Sequence, residues 1–259
     1  MTRRNFVALA SAASLRAETS SERARKIIDQ TLHALGGDGF RNLRTRTESG
    51  RAYSFYREQI SGLSIARIYT KYLDKADGGL HLAQRQVFGK KQDDAVILTG
   101  TSAWEITYRG ARPLGDERIK QFNTSTLHDI FYILRMRLNE SGMAVDSQGR
   151  DVVENQPVEK LVFNDAENRT LTAWIHSSTL LPVKQSFRRW DATINDRREE
   201  VTRYTKYRDA GNGVMWPYDT QRERDGEKLF ELYADKVVIG EEVPDSMFEL
   251  PPGITVLKK

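Results

Sequence analysis

The hydrophobic pattern changes period once, early in the chain. Ala24, Ile27, Ile28, Thr31, Leu32 and Leu35 recur at the spacing of one helical face. Ser20 or Ser21 can cap this helix, Glu22 suits its first turn, and Gly36-Gly37 supplies a left-handed end. From position 44 the period is two. Alternating or β-branched and aromatic segments run over 44–57, 63–73, 80–88, 95–99 and 103–108. Gln59 to Gly62 is read as the turn between the first two, and the short spacings predict antiparallel hairpins. Positions 112–115 read as loop, and 124–138 as a second helix whose apolar residues, Leu127 to Leu138, cover more than one face. Strands then resume over 158–163, 170–176, 183–190, 198–208, 213–224 and 228–239.

The pattern therefore predicts a mainly β (α+β) fold of about eleven strands. So many successive antiparallel strands must curl. The expected product is a large curved sheet or incomplete β-barrel, with helices covering the concave apolar face and an apolar cavity beneath them. No repeat or linker divides 18–259, so it is read as a single domain.

Charge changes the picture little. The excess of 40 Lys and Arg over 36 Asp and Glu is +4, but Arg3, Arg4 and Arg16 lie in an acid-free stretch, 1–17. Without them the excess is +1, which gives no electrostatic case for nucleic acid. That stretch has the order of an export signal: basic start, short apolar run, small residues. Thr2-Arg3-Arg4-Asn5-Phe6-Val7 resembles the twin-arginine signature through Arg3, Arg4 and Phe6, with Ala17 as the expected cleavage point and Ala12 or Ala13 as alternatives. A periplasmic or secreted location follows as the expectation. No apolar run approaches the roughly 20 residues of a membrane span. The chain has 0 Cys, so neither a disulfide nor a lipid anchor on cysteine is available.

Motifs of catalysis are missing. There is no G-x-S-x-G elbow, no phosphate loop and no H-E-x-x-H. His33, His81, His128 and His176 are scattered without ligand spacing, so no metal site is expected. The four tryptophans, Trp104, Trp174, Trp190 and Trp216, suit either core anchoring or the lining of a cavity.

Thr172 to Lys184, with Trp174 entering a polar turn and leaving through Leu181-Pro182, resembles the strand–turn–strand of LolA-like proteins, the periplasmic carriers of outer-membrane lipoproteins and their relatives. Tyr204 and Tyr207, Gly213 to Pro217, the ending Phe248 to Gly253 and the helix end Ala34 to Gly37 fit in the same order, over most of 21–253. The resemblance implies an incomplete antiparallel barrel with a helical lid. It also implies a binding protein without cofactor, not an enzyme, that carries a lipid or the acyl chains of a lipoprotein between membrane-associated delivery and acceptor proteins. A sensor or scaffold domain binding a protein partner is the alternative. Trp104, Phe131, Leu134, Trp174, Phe187 and Phe230 are the expected cavity lining.

Overall fold

A computed structural model describes residues 18–91, 94–191 and 193–258. Arg3, Arg4 and Phe6, with the rest of the expected export signal, lie outside the described residues. Helix α1 (Ser20–Ala34) is opened by Thr19, not by Ser20 or Ser21. Thr19 is extended, and its hydroxyl accepts from the Glu22 N–H at 3.1 Å while the Glu22 carboxylate accepts the Thr19 N–H at 2.8 Å. This reciprocal pair satisfies two otherwise orphaned groups. The predicted stripe from Ala24 to Leu32 is buried. The helix ends at Gly36, where φ is +115° and a Cβ would meet the Gly213 carbonyl oxygen at 2.6 Å. A short helix, α2 (Asp38–Arg41), follows and buries Phe40 completely.

Six strands form the first meander: β1 (Thr45–Tyr56), β2 (Gln59–Asp77), β3 (Leu80–Phe88), β4 (Asp94–Leu98), β5 (Ala103–Thr107) and β6 (Gly110–Pro113). Helix α3 (Asp116–Leu127), a single turn α4 (Ile130–Tyr132) and a π-helical turn, Ile133–Arg137, come next. Seven strands complete the sheet: β7 (Ala144–Val153), β8 (Gln156–Asn164), β9 (Thr170–His176), β10 (Pro182–Asp191), β11 (Asp196–Asp209), β12 (Met215–Arg224) and β13 (Glu227–Ile239).

Among the described residues 13 strands join one antiparallel sheet in the order β6-β5-β4-β3-β2-β1-β13-β12-β11-β10-β9-β8-β7. The first and last strands, β1 and β13, pair in its middle, and the edges β6 and β7 do not meet. This order explains the position of the helices. The chain leaves one edge at β6 and must re-enter at the other edge, β7, and the short way crosses the concave face. The α3–α4 segment makes that crossing.

Three expectations need correction. The described residues form 13 strands, not about eleven; the two that sequence patterning omitted, β6 and β7, are the sheet edges. The first hairpin turns at Arg57-Glu58, both at positive φ (47° and 62°), and not at Gln59 to Gly62, which belong to β2. A two-residue loop with both residues left-handed matches strand twist. The crossing helix begins at Asp116, with Asp116 and Glu117 favourable to its N-terminus, and breaks after Leu127. It restarts where the Asp129 carboxylate accepts the Tyr132 N–H at 2.9 Å.

The main core lies between helices and concave face. It joins Ile28 and Leu32 of α1, Phe40, Phe131 and Leu134 to Leu161, Phe163, Ala173, Ile175 and Trp216 of the strands. The other face of β3–β6 is covered by the chain after β13, where Phe248, Leu250 and Ile254 pack on Ala83, Val87, Ile97 and Ile106.

Candidate functional site

The crossing segment does not fill the trough. Between it and β1–β3 and β10–β13 lies a cavity of about 400 Å³, within the usual size range of small-molecule sites. Its wall is built from same-face positions of neighbouring strands. Arg46 pairs across with Thr70, which pairs with Gln84, and Glu48 pairs with Ile68, then Gln86. On the other side Tyr204 pairs across with Thr220, which pairs with Leu232, and Thr202 pairs with Arg222, then Phe230. From the crossing segment Arg118, Phe122, Ser125, Asp129 and Phe131 face the same space.

The lining is mixed polar and apolar, which departs from the oily hollow expected. Its inner end holds a closed network. The Arg46 guanidinium donates to Glu48 at 3.0 Å and to the Thr70 hydroxyl at 3.3 Å, and stacks over Trp216 at 4.0 Å. The Trp216 indole N–H donates to the other Glu48 oxygen at 3.1 Å. Burial works against the Arg46 charge, but adjacent Glu48 outweighs it and the pKa rises. Burial also pushes the Tyr72 hydroxyl up to about 12 and the Tyr204 hydroxyl well above its ordinary value. Asp129 is pushed up as well, because burial outweighs the Tyr132 N–H and the nearby Arg46 and Arg222.

Buried Gln185 of β10 ties the break in the crossing segment to the floor. Its Oε1 accepts the Ile130 N–H at 2.9 Å, and its Nε2 donates to the His128 carbonyl at 3.0 Å. His128 stacks on Phe187, ring centroids 4.3 Å apart, and burial lowers its pKa.

Of the residues expected to line a cavity, Phe131, Phe187 and Phe230 do so and the structure brings them together. Leu134 is in the packed core on the other side of the helical turn. Trp104 packs on the convex-face cluster beneath Leu250 and Ile254. Trp174 stands opposite Ala173 and Ile175 of the concave core, donates to Asp151 at 2.9 Å, and carries Lys184 4.5 Å above its ring. Alternation within a short strand shows that neighbours face apart without showing which face is inner. The cavity residues that sequence patterning missed are chiefly polar: Arg46, Glu48, Asp129, Gln185 and Arg222. Among the described residues no group of His, Asp or Glu is placed to hold a metal ion.

No helix among the described residues is long and apolar enough to cross a membrane. No family model matches the sequence, and no curated protein matches it. Solved structures do match. An outer membrane lipoprotein-sorting protein domain from Vibrio parahaemolyticus superposes with a TM-score of 0.56 at 9% identity, over 88% of this chain and 97% of that one. A DUF1329 family protein from Desulfovibrio piger gives a TM-score of 0.58 at 13% identity, over 87% and 97%. A LolA superfamily protein from Nitrosomonas europaea reaches 0.48 at 11% identity, over 87% and 96%. The chain thus shares its fold, an unclosed antiparallel sheet bridged by helices, with the lipoprotein-sorting domain and the DUF1329 family protein.

Proposed function

We propose that this chain is a carrier or binding protein for an acylated ligand, working in the periplasm after removal of an export signal over 1–17. The observation that carries the reading is the cavity of about 400 Å³ beneath the α3–α4 crossing. At about 30 Å³ per water-sized group it has room for about a dozen methylenes. Each methylene taken out of water contributes about 0.8 kcal/mol, so a filled cavity gives on the order of 10 kcal/mol gross. The polar part of the lining reduces that figure. Phe131, Phe187 and Phe230 supply apolar wall on three sides: crossing segment, β10 and β13.

The fold of the lipoprotein-sorting domain supports the same reading. The break at His128-Asp129, where Gln185 bonds the backbone, gives α3 a hinge on which to lift while Ile130 to Leu134 stay packed in the core. Release would then follow from opening the crossing segment against an acceptor. Native mass spectrometry of the protein purified from its own periplasm tests the proposal. A bound acylated molecule is expected. A protein that emerges empty and also refuses every acyl probe offered would overturn it.

A further inference from the structure

The cavity has an electrically distinct mouth. Nearly all its lining residues are buried or half-buried; the exposed ones are Arg118, Ser125 and Arg222. These mark where it meets solvent. Arg118 comes from the crossing helix α3 and Arg222 from β12 on the floor, so the two guanidiniums flank the opening from opposite sides. The neighbouring arginines of the wall have a carboxylate to share: Arg189 and Arg224 each donate to Glu200 at 2.8 Å. Arg118 and Arg222 meet no carboxylate among the described residues. Arg118 reaches only the Gln121 side-chain oxygen, at 3.5 Å, and Arg222 stands 6.0 Å from the Phe230 ring centroid.

Two cations held close without an ion-pair contact are an unfavourable arrangement that an anion relieves, and Asp129 reaches Arg222 only at longer range. Burial, and then the charge of Arg222, both depress the Arg118 pKa, which shows the pair already in each other's field. A second unfilled group lies just inside. The Tyr204 hydroxyl is buried without a hydrogen-bond partner among the described residues. Tyr204 opposes Thr220, the next same-face position from Arg222 on β12, so the two are diagonal neighbours on one wall. Deeper still, Arg46 is matched by Glu48, and Asp129 adds an acid. Positive charge is therefore not in excess at the inner end, and at the opening Arg118 and Arg222 have no ion-pair partner among the described residues.

Resting on the carrier reading above, we infer that the ligand is a single-chain amphiphile with an anionic carboxylate or phosphate head, the head held by Arg118 and Arg222 at the mouth and the tail running inward past Phe230 and Phe187. The volume admits one short chain, not several. Guanidinium forks suit both head chemistries through paired charge-assisted hydrogen bonds.

Titration calorimetry with laurate, dodecyl phosphate and neutral 1-dodecanol, each below its micelle or solubility limit, tests the inference. Laurate or dodecyl phosphate is expected to bind at least about tenfold more tightly than dodecanol, and the tighter of the two identifies the head. In the double variant Arg118→Gln, Arg222→Gln that ratio should fall close to one. Raising salt on the unmodified protein should weaken the anions and spare dodecanol, which decides the matter even if the variant does not fold. Equal affinity for all three, or a ratio that survives the double substitution, overturns the headgroup assignment and leaves the carrier reading standing. Failure of all three to bind overturns the headgroup assignment and, where native mass spectrometry also finds the protein empty, the carrier reading itself.

Discussion

Gln185 ties the break in the cover to the floor by two hydrogen bonds, and its removal has a calculable cost. In Gln185→Leu the side-chain volume is roughly kept, and both hydrogen bonds, from the Ile130 N–H and to the His128 carbonyl, are lost. Ile130 is wholly buried and His128 nearly so. A buried group left unpaired costs about 1–3 kcal/mol. Water in the adjoining cavity can hydrate one of the two, so the expected loss is about 2–4 kcal/mol. Urea unfolding measures it. The change should have a local signature: amide exchange at Ile130 and Tyr132 should accelerate far more than in α1, because the break in the crossing segment loses its tether. Gln185→Glu retains the acceptor for Ile130 but loses the donor to His128, and should fall between the two. A Gln185→Leu protein within about 0.5 kcal/mol of the parent, with unchanged exchange at Ile130, would refute the claim that this side chain anchors the cover.

Other consequences can be checked alongside it. Arg46→Met leaves Glu48 buried without its partner and should cost about 3–5 kcal/mol in urea unfolding, whereas Arg46→Met with Glu48→Gln should recover most of that loss. Asp165 is buried, which raises its pKa, but hydrogen bonds from Arg137 at 2.8 Å and from Arg169 at 2.6 Å prevail and hold it at about 2, below the ordinary 3.8. A depressed carboxylate stabilises the fold above its unfolded pKa, so about 2 kcal/mol is present at neutral pH and is lost as pH falls from about 4 towards about 2. Asp165→Asn should remove that acid dependence, as followed by circular dichroism. At Gly50, in the bulge where β1 meets β13, a Cβ would lie 1.9 Å from the Tyr233 carbonyl oxygen. Gly50→Ala should therefore destabilise by more than about 2 kcal/mol and lower Tm by several degrees; an unchanged Tm would show that the strand junction gives way freely.

Much of the architecture was legible because each central strand is flanked on both sides. Ile68 and Tyr72 in β2, Leu82 in β3 and Leu232 in β13 alternate with outward neighbours, and the sheet needs that alternation to bury one face. The edges lack that constraint. β6 is only 4 residues long, and β7 presents Asp146, Gln148, Arg150 and Asp151 among its ten. Strands paired on one side only tolerate charge, and charge blunts unwanted pairing. Thr19 and Arg57-Glu58 were missed for a different reason: the competing residues, Ser20, Ser21 and Gly62, have stronger intrinsic preferences, and the pairing of β1 with β2 decided the turn.

The cavity was less legible, and the cause is the assumption that polar means outward. On β1, β2, β3 and β10 the inner face carries Arg46 and Glu48, Thr70, Gln84 and Gln86, and Gln185. Each lies two residues from an apolar inner neighbour or from another of the set: Thr70 between Ile68 and Tyr72, Gln84 and Gln86 between Leu82 and Phe88, Gln185 beside Phe187. A face fully packed against helices cannot hold so many polar groups at the same parity, because each would need a buried partner. Polar residues breaking into the apolar parity of several adjacent strands at the same level therefore mark the place where the helices leave the sheet uncovered. Arg222, two positions from Thr220 on that parity and beside Phe230 across the ladder, is the exposed one among the β12 residues that line the cavity. The same break in alternation that hid the cavity from a hydrophobic reading locates both its wall and its mouth.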